Sequence, residues 1–216
     1  MESLAGLHFF VRMVVEMGLF LDAAVKWNSL QNTKYLLVLG HKKSTEYINM
    51  TFRPEDFDHL SGIHYADDID FKLHRNEYRG EKLIPALLSH KLDDSLIEKS
   101  INWGVKISDR LTAIVDIQKI LESDFKIYRF SGRKLPFYSD ISAIYFLYSE
   151  QCQNGVFLFL DQENECFYCK SVFRKDARDY CINQTSWTVL KKVKTVNDKD
   201  EVIYVYPKYR EDGMKK

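Results

Sequence analysis

Two histidines, a serine and a tyrosine surround one glycine in the segment 56–65, and such side chains can move protons at neutral pH. Histidine titrates close to neutrality, so a pair such as His59 and His64 can supply both an acid and a base. Gly62 permits backbone conformations that strain other residues, which suits a tight turn that presents side chains to a cleft. The alternative interpretation is a connector that its apolar residues anchor, with the histidines as capping or surface groups.

The elements that must position this segment follow from apolar periodicity and turn signals. A buried helix is predicted at 3–31, and strands at 34–40 and 45–52 form a hairpin after it. Three helical stretches follow, at 81–89, 93–102 and 106–122. From residue 124 the chain is rich in aromatic and β-branched residues, which predicts strands at 125–130, 143–149, 155–160, 165–173, 186–196 and 201–206.

This order of elements predicts an α+β fold in which helices pack on a small antiparallel sheet. Its parts are an N-terminal helix and β-hairpin, a helical middle and a C-terminal β-meander. The chain has no internal repeat or Pro-rich linker, so a single domain over 1–216 is predicted. Within it, 1–31 is the N-terminal helix, 32–196 the core, and 197–216 a terminal strand and tail.

Composition and charge exclude several classes of protein. The chain is 45% hydrophobic and 14% aromatic, which excludes a disordered protein, and its formal net charge is zero. Residues 170–194 nevertheless carry seven basic side chains against two acidic ones, which indicates either a phosphate-attracting face or a solvated strand edge. Arg12, Glu16 and Asp22 interrupt the apolar N-terminus, so we expect no membrane span and a cytoplasmic location.

The four cysteines lie within thirty residues, at Cys152, Cys166, Cys169 and Cys181, and this raises the question of a zinc site. The Cys166–Cys169 pair has the spacing of a metal knuckle, but it lies in a strand-like run where residues three apart point to opposite faces. We therefore predict reduced cysteines and no metal. The sequence also lacks the glycine-rich and HExxH motifs of nucleotide- and zinc-dependent enzymes, so no cofactor is predicted.

The run from Lys34 to Gly40, followed by Ile48 to Tyr65, resembles a group of small nuclease-like domains. The group is the fourth phage-associated one of the superfamily named for barnase, EndoU, the tRNase colicins and RelE. The most specific part is Phe-x-His-Leu-x-Gly-Ile at 57–63. The Arg110-bearing helix, the aromatic strands and the segments 173–176 and 187–191 agree with it, so the resemblance covers roughly 30–195. It implies an α+β fold and metal-independent cleavage of RNA, and it carries His59 over as a site residue.

Metal-free cleavage of RNA requires a base for the 2′-hydroxyl, an acid for the leaving 5′-oxygen, and cations for the charged phosphorane. We predict His59 as the base, His64 or Tyr65 as the acid, and Arg110 as a catalytic cation. The residues predicted to bind the substrate are Ser61, Arg174, Lys175 and Lys191. These cations also have a structural interpretation, because Arg110 follows Ser108 and Asp109 at a helix start, where it can pair with acidic neighbours, and 174–178 is typical of a charged turn.

The expected partner is RNA, and a role as a toxin of a phage or other mobile element would require an inhibitor, an antitoxin or immunity protein. Two other classes of function fit the same sequence. One is a module that binds RNA or protein without catalysis, which would bind unchanged after His59→Ala. The other is a zinc-stabilised domain built on the four cysteines, which a metal analysis would reveal.

Overall fold

The computed structural model describes residues 18–69, 78–152 and 154–210. Its α-helices are α1 (Leu19–Leu30), α2 (Asp56–Ser61), α3 (Leu83–Leu88), α4 (Ser108–Val115) and α5 (Ile117–Glu122). Its strands are β1 (Thr33–His41), β2 (Ser44–Met50), β3 (Lys126–Arg129), β4 (Tyr145–Ser149), β5 (Val156–Glu163), β6 (Cys166–Arg174), β7 (Thr185–Val196) and β8 (Lys199–Val205). Short 3-10 turns occur at Ile63–Tyr65, Gly80–Lys82, Asp94–Lys99 and Gly132–Lys134, and one π-helical turn at Trp103–Ile107.

All eight strands belong to one sheet, and seven of them close into a barrel. The strand order is β1-β2-β6-β5-β4-β3-β7-β8, and a further pairing between β1 and β7 completes the ring. β8 lies outside the ring and pairs with β7. The predicted fold, helices packed on a small antiparallel sheet, is therefore wrong.

Two long-range contacts explain why the closure was missed. β7 has twelve residues, and it pairs with β1 from Thr33↔Val196 to Gly40↔Thr188 while its first residues pair with β3. On the other side of the β1–β2 hairpin, β2 meets β6 in a parallel contact at Met50↔Phe167. Closure pairs strand edges that an open sheet would leave exposed. Neither contact joins strands that are neighbours in sequence, so local patterns do not indicate them.

One core fills the barrel and continues under the helices. Alternate residues of the seven ring strands face this core, among them Tyr35, Leu147 and Leu158, and all three are almost fully buried. α1 adds Trp27 and α4 adds Leu111 to the same core. Since period-two alternation places every second strand residue on one face, the ring strands and the helices form a continuous apolar interior.

A second cluster, here called the outer aromatic cluster, covers the other face of β4 and β5. It consists of Phe146, Tyr148, Phe157, Phe159 and Tyr180, against which parts of the 130–143 loop pack. The sequence predicted the strands of this region but not the loop that covers their outer face. This cluster fixes the position of the loop that forms one wall of the cleft described below.

Several predicted helices differ from those observed. Residues 3–17 of the predicted N-terminal helix lie outside the described residues, and α1 is Leu19–Leu30. The predicted helix at 106–122 is divided near Asp116 into α4 and α5. Across the described residues, no helix is both long and apolar enough to span a membrane.

Candidate active site

The segment 56–65 folds as a helix, a glycine turn and a second short helical turn. α2 ends at Ser61, and Gly62 adopts the left-handed conformation with φ of +75°, before the 3-10 turn Ile63–Tyr65. A Cβ atom added at Gly62 would lie 2.9 Å from Cδ of Arg110 and 3.2 Å from the carbonyl oxygen of Lys106. Glycine is therefore required at position 62 for two reasons: the positive φ and the close approach of the helix that carries Arg110.

The two histidines of this segment stack on each other. The imidazole rings of His59 and His64 are parallel within 2°, with centroids 5.3 Å apart, and the His64 ring lies 4.1 Å from that of Tyr65. Partial burial and the positive charge of Arg110 lower the pKa of His59. Burial, His59 and Arg110 lower that of His64. Both rings are therefore mainly neutral at pH 7, the form in which histidine accepts a proton.

Arg110 projects from the first turn of α4, directly after the π-helical turn Trp103–Ile107. Its guanidinium carbon lies 5.5 Å from the ring centroid of Tyr65 and 5.8 Å from that of Phe173, while Lys106 Nζ lies 4.9 Å from Tyr65. Burial lowers the pKa of Arg110, although contact with Tyr65 opposes this effect. π-Helical turns are rare and often occur at functional sites.

The Nη1 atom of Arg110 is buried and, among the described residues, has no hydrogen-bond partner. Nor does a carboxylate of the described part of the chain pair with this guanidinium group. A buried cationic donor without a partner is costly, and an anion that binds beside it would remove that cost. Arg110 therefore marks a candidate anion site.

Arg110 and Tyr65 line a cleft of about 450 Å³ between α4, the end of β6 and the 138–141 loop. Four cationic and three acidic side chains line it, which leaves one positive charge in excess. Arg178 Nη2 pairs with Asp176 at 2.6 Å, and Arg174 Nη1 lies 3.7 Å from Asp109. Arg174 Nε is a second buried donor without a partner in the residues that the structure describes. The unsatisfied donors of the cleft thus come from two arginines.

The other predicted substrate-binding residues lie apart from this cleft. Ser61 is 0% exposed, and its hydroxyl donates to the Asp58 carbonyl at 3.0 Å. Lys175 forms an ion pair with Asp179 at 3.7 Å and lies over Tyr148, outside the cleft lining. Lys191 is on β7, three strands from β6 around one side of the ring and four around the other. Of the predicted site residues, Tyr65, Arg110 and Arg174 line the cleft, whereas His59 and His64 do not line it and stack beside Tyr65.

Sequence analysis did not single out two further residues of the cleft, Lys106 and Tyr138. Lys106 precedes Arg110 by four residues, a spacing that places side chains on the same face of a helix, so this signal was present in the sequence. Tyr138 lies in an irregular polar segment, Phe137 to Asp140, and no local pattern places that segment beside α4.

The cysteines occupy different environments. Cys166 is exposed and Cys169 is buried on the same strand, Cys152 is buried near the β4–β5 turn, and Cys181 is half-buried; all four thiols are free. Burial raises the pKa of the Cys169 thiol, which opposes the thiolate form that zinc binds. Over the three described ranges, no group of three or more His, Cys, Asp or Glu side chains is arranged to hold a metal ion.

Arg110 and Arg174 each have a buried nitrogen without a hydrogen-bond partner among the described residues, close to Tyr65 and the histidine pair, and comparison with family models gives the class of protein. The chain is a nuclease-family protein of the barnase, EndoU, colicin and RelE type. It belongs to the family described as phage-Barnase-EndoU-ColicinE5/D-RelE like nuclease4, whose model matches residues 19–209. The family resemblance seen in the sequence is thus confirmed. No curated protein and no solved structure matches the chain.

Proposed function

We propose that the protein is an endoribonuclease that cleaves RNA without a metal ion, in the cleft between α4, β6 and the 138–141 loop. The observation that carries the proposal is the buried Nη1 atom of Arg110, which has no hydrogen-bond partner in the described part of the chain and lies near Tyr65 and the stacked histidines. A phosphodiester would supply both a hydrogen-bond acceptor for this atom and a negative charge beside the guanidinium group. The nuclease family of the chain supports a nucleic-acid substrate.

Arg110 and Arg174 bind the scissile phosphate in this mechanism. The planar guanidinium group presents several donors in a fixed geometry that matches phosphate oxygens. Both side chains contact or line the same cleft, and each has one buried nitrogen without a partner among the described residues. Their charge is placed before the reaction begins, so it stabilises the phosphorane as negative charge develops.

His59 takes the proton from the 2′-hydroxyl, and the 2′-oxygen attacks phosphorus. The bond from phosphorus to the 5′-oxygen then breaks, and Tyr65 donates a proton to that oxygen, because a tyrosine hydroxyl is a proton donor at neutral pH. The products are a 2′,3′-cyclic phosphate and a 5′-hydroxyl. The His64 ring contacts the rings of both His59 and Tyr65, and in this mechanism it positions them. We assign the acid to Tyr65 rather than His64 because lowered pKa values leave both histidines largely unprotonated.

The test incubates purified protein with total cellular RNA in EDTA and identifies the new termini. Wild type yields 2′,3′-cyclic phosphate ends, and His59→Ala reduces the rate about 10²- to 10⁴-fold, the usual contribution of a general base. His41→Ala is the matched control, because His41 contacts Ser186 and Trp187 of β7 and neither lines the cleft nor contacts the histidine pair beside it. Thermal melts establish that both variants are folded.

Equal loss of activity in the His41 and His59 variants would refute the proposed site. Cleavage that EDTA abolishes would refute the metal-independent chemistry. Intact RNA with wild type and both variants would favour the second candidate, a module that binds RNA without cutting it. If the enzyme acts as a toxin, the host needs an inhibitor protein, and we propose that such a protein would occupy the same cationic cleft.

A further inference from the structure

Two exposed apolar side chains stand at the rim of the cleft. Tyr138 is 83% exposed and Val105 is 74% exposed, and both line the same cleft as Arg110 and Arg174. Val105 belongs to the π-helical turn before α4, whereas Tyr138 belongs to the facing loop. An aromatic ring held in water beside a phosphate-binding site has the chemistry to stack on a nucleobase.

The backbone on each side of Tyr138 is anchored. The Phe137 ring packs edge-on against Tyr180 with centroids 5.1 Å apart, and Ile141 packs against the same outer aromatic cluster. The Ser139 hydroxyl accepts a hydrogen bond from the Ile141 N–H at 3.3 Å. The Tyr138 hydroxyl contacts the Asp140 carboxylate, and this contact raises the pKa of Tyr138. The ring is therefore exposed but positioned, so little conformational entropy is lost when a base stacks on it.

From this arrangement we infer that Tyr138 is a base-stacking residue, and that the cleft takes unpaired, single-stranded RNA. The inference rests on the proposed function, and it specifies the substrate class of the same site. A base within a duplex is already stacked on both faces, so an aromatic platform engages only a base that has left the helix. A cleft of about 450 Å³ is in the size range of sites for small ligands, which suits a short unpaired segment.

The experiment measures binding with a ligand that cannot be cleaved, a fluorescent 2′-O-methyl RNA octamer, alone or annealed to its complement. Wild type is expected to bind the single strand more tightly than the duplex. Tyr138→Ala weakens single-strand binding by about 5- to 100-fold, the effect of losing one base–aromatic stack. Tyr138→Phe retains the affinity, because it removes the contact to Asp140 and keeps the ring.

Tyr47→Ala is the matched control, since Tyr47 is a tyrosine of β2 that is 59% exposed and does not line the cleft. It should leave the affinity unchanged. Melting temperatures verify folding. Tyr138→Ala is expected to have the same melting temperature as wild type, because the Tyr138 side chain is outside the core. Equal affinity of Tyr138→Ala and wild type for the single strand overturns the inference, and so does tighter binding of the duplex.

Failure of this inference can be distinguished from failure of the proposed function, because the octamer tests binding without cleavage. Tyr138-dependent binding of the octamer, by a protein that leaves cellular RNA intact, supports the inference and refutes catalysis. Cleavage of cellular RNA that is unaffected by Tyr138→Ala, together with unchanged octamer binding, supports the proposed function and overturns the inference.

Discussion

Two regions of the barrel contain histidine, arginine and tyrosine side chains, and they differ in how these groups are paired. One lies at the β1–β2 turn, where Glu46 accepts hydrogen bonds from the hydroxyl of Tyr145 and, at 3.1 Å, from Arg129. His41 there lies 3.1 Å from the Ser186 carbonyl. The other is the cleft at the C-terminal end of β6, with His59 and His64 stacked beside its Tyr65, where Arg110 has a buried nitrogen without a partner in the described structure.

The comparison shows that residue type alone does not identify a site. At the β1–β2 turn, one carboxylate accepts from both an arginine and a tyrosine, so the polar groups stabilise one another. In the cleft, one buried nitrogen of Arg110 and one of Arg174 have no hydrogen-bond partner among the described residues, which costs stability unless a ligand supplies the missing acceptor. We therefore interpret the first region as structural and the second as functional.

The largest expected effect is on cleavage by the two arginine variants. Arg110→Ala should slow RNA cleavage about 10²- to 10³-fold, because it removes a preorganised donor from the charge that develops in the transition state. Arg129→Ala should leave the rate unchanged, since its guanidinium group pairs with Glu46. Single-turnover kinetics on a defined RNA measure both.

Arg110→Lys should restore only part of the rate, because an ammonium group lacks the planar fork of donors. A full rate in Arg110→Ala, or an equal loss in Arg129→Ala, would contradict the assignment of the cleft.

The next effect separates stability from activity at the two tyrosines. Tyr145→Phe should lower the free energy of unfolding by about 1–2 kcal/mol, because Glu46 loses a donor in a partly buried site, and should leave cleavage unchanged. Tyr65→Phe should abolish most cleavage and change stability by about 0.5 kcal/mol or less. Urea denaturation and the cleavage assay report these quantities; the opposite pattern would reverse the roles of the two regions.

A smaller effect is expected in the pH dependence. The lowered pKa values of His59 and His64 place the acidic limb of the cleavage profile below the ordinary histidine value of 6.5. Arg110 lowers both values, so Arg110→Ala should move the two histidine titrations to higher pH. NMR titration of the imidazole protons measures these pKa values directly. Unchanged midpoints in Arg110→Ala would show that Arg110 does not influence the protonation of the two histidines.

The same shifts have a sign for stability. As the pH falls, these histidines are protonated first in the unfolded chain, because their pKa is higher there. Their contribution to the free energy of unfolding is therefore fully present above about pH 6.5 and is lost as the pH falls through the lower pKa values of the folded state. His59→Gln should reduce this loss, and urea denaturation across that range would detect it.

The smallest effect concerns the salt dependence of binding to single-stranded RNA. Arg174→Gln should reduce the slope of log affinity against log salt by about 0.7, the loss of one phosphate contact. Lys191→Gln should leave the slope unchanged, since β7 lies across the ring from β6. A reduced slope in Lys191→Gln would instead support the sequence-based prediction that Lys191 binds the substrate.

The basic run at 170–194 illustrates where the sequence was ambiguous. Arg174 enters the cleft, but Lys192 is buried and donates to the carbonyl oxygens of Leu121 and Ser123 at 3.1 and 2.7 Å, near the end of α5. Lys194 pairs with Glu122 at 2.8 Å. Sequence spacing cannot separate these roles, because they depend on which element lies opposite each strand residue.

The sequence by itself determined what depends on neighbouring residues. Runs rich in aromatic and β-branched residues specified the strands. Asn154-Gly155 supplied two positive φ values for the β4–β5 turn, and Gly62 supplied the left-handed turn after His59. The Phe-x-His-Leu-x-Gly-Ile motif also indicated the family. These features depend on steric and hydrophobic preferences that act over a few residues.

Only the tertiary structure decided the barrel, the cleft and the pairing of charges. β1 and β7 meet across more than 140 residues of chain, and α4 brings Arg110 against Tyr65, 45 positions away. Whether a buried cation has a partner depends on every element packed around it. That is a property of the folded interior, where low dielectric and exclusion of water make each missing contact costly, and no local pattern encodes it.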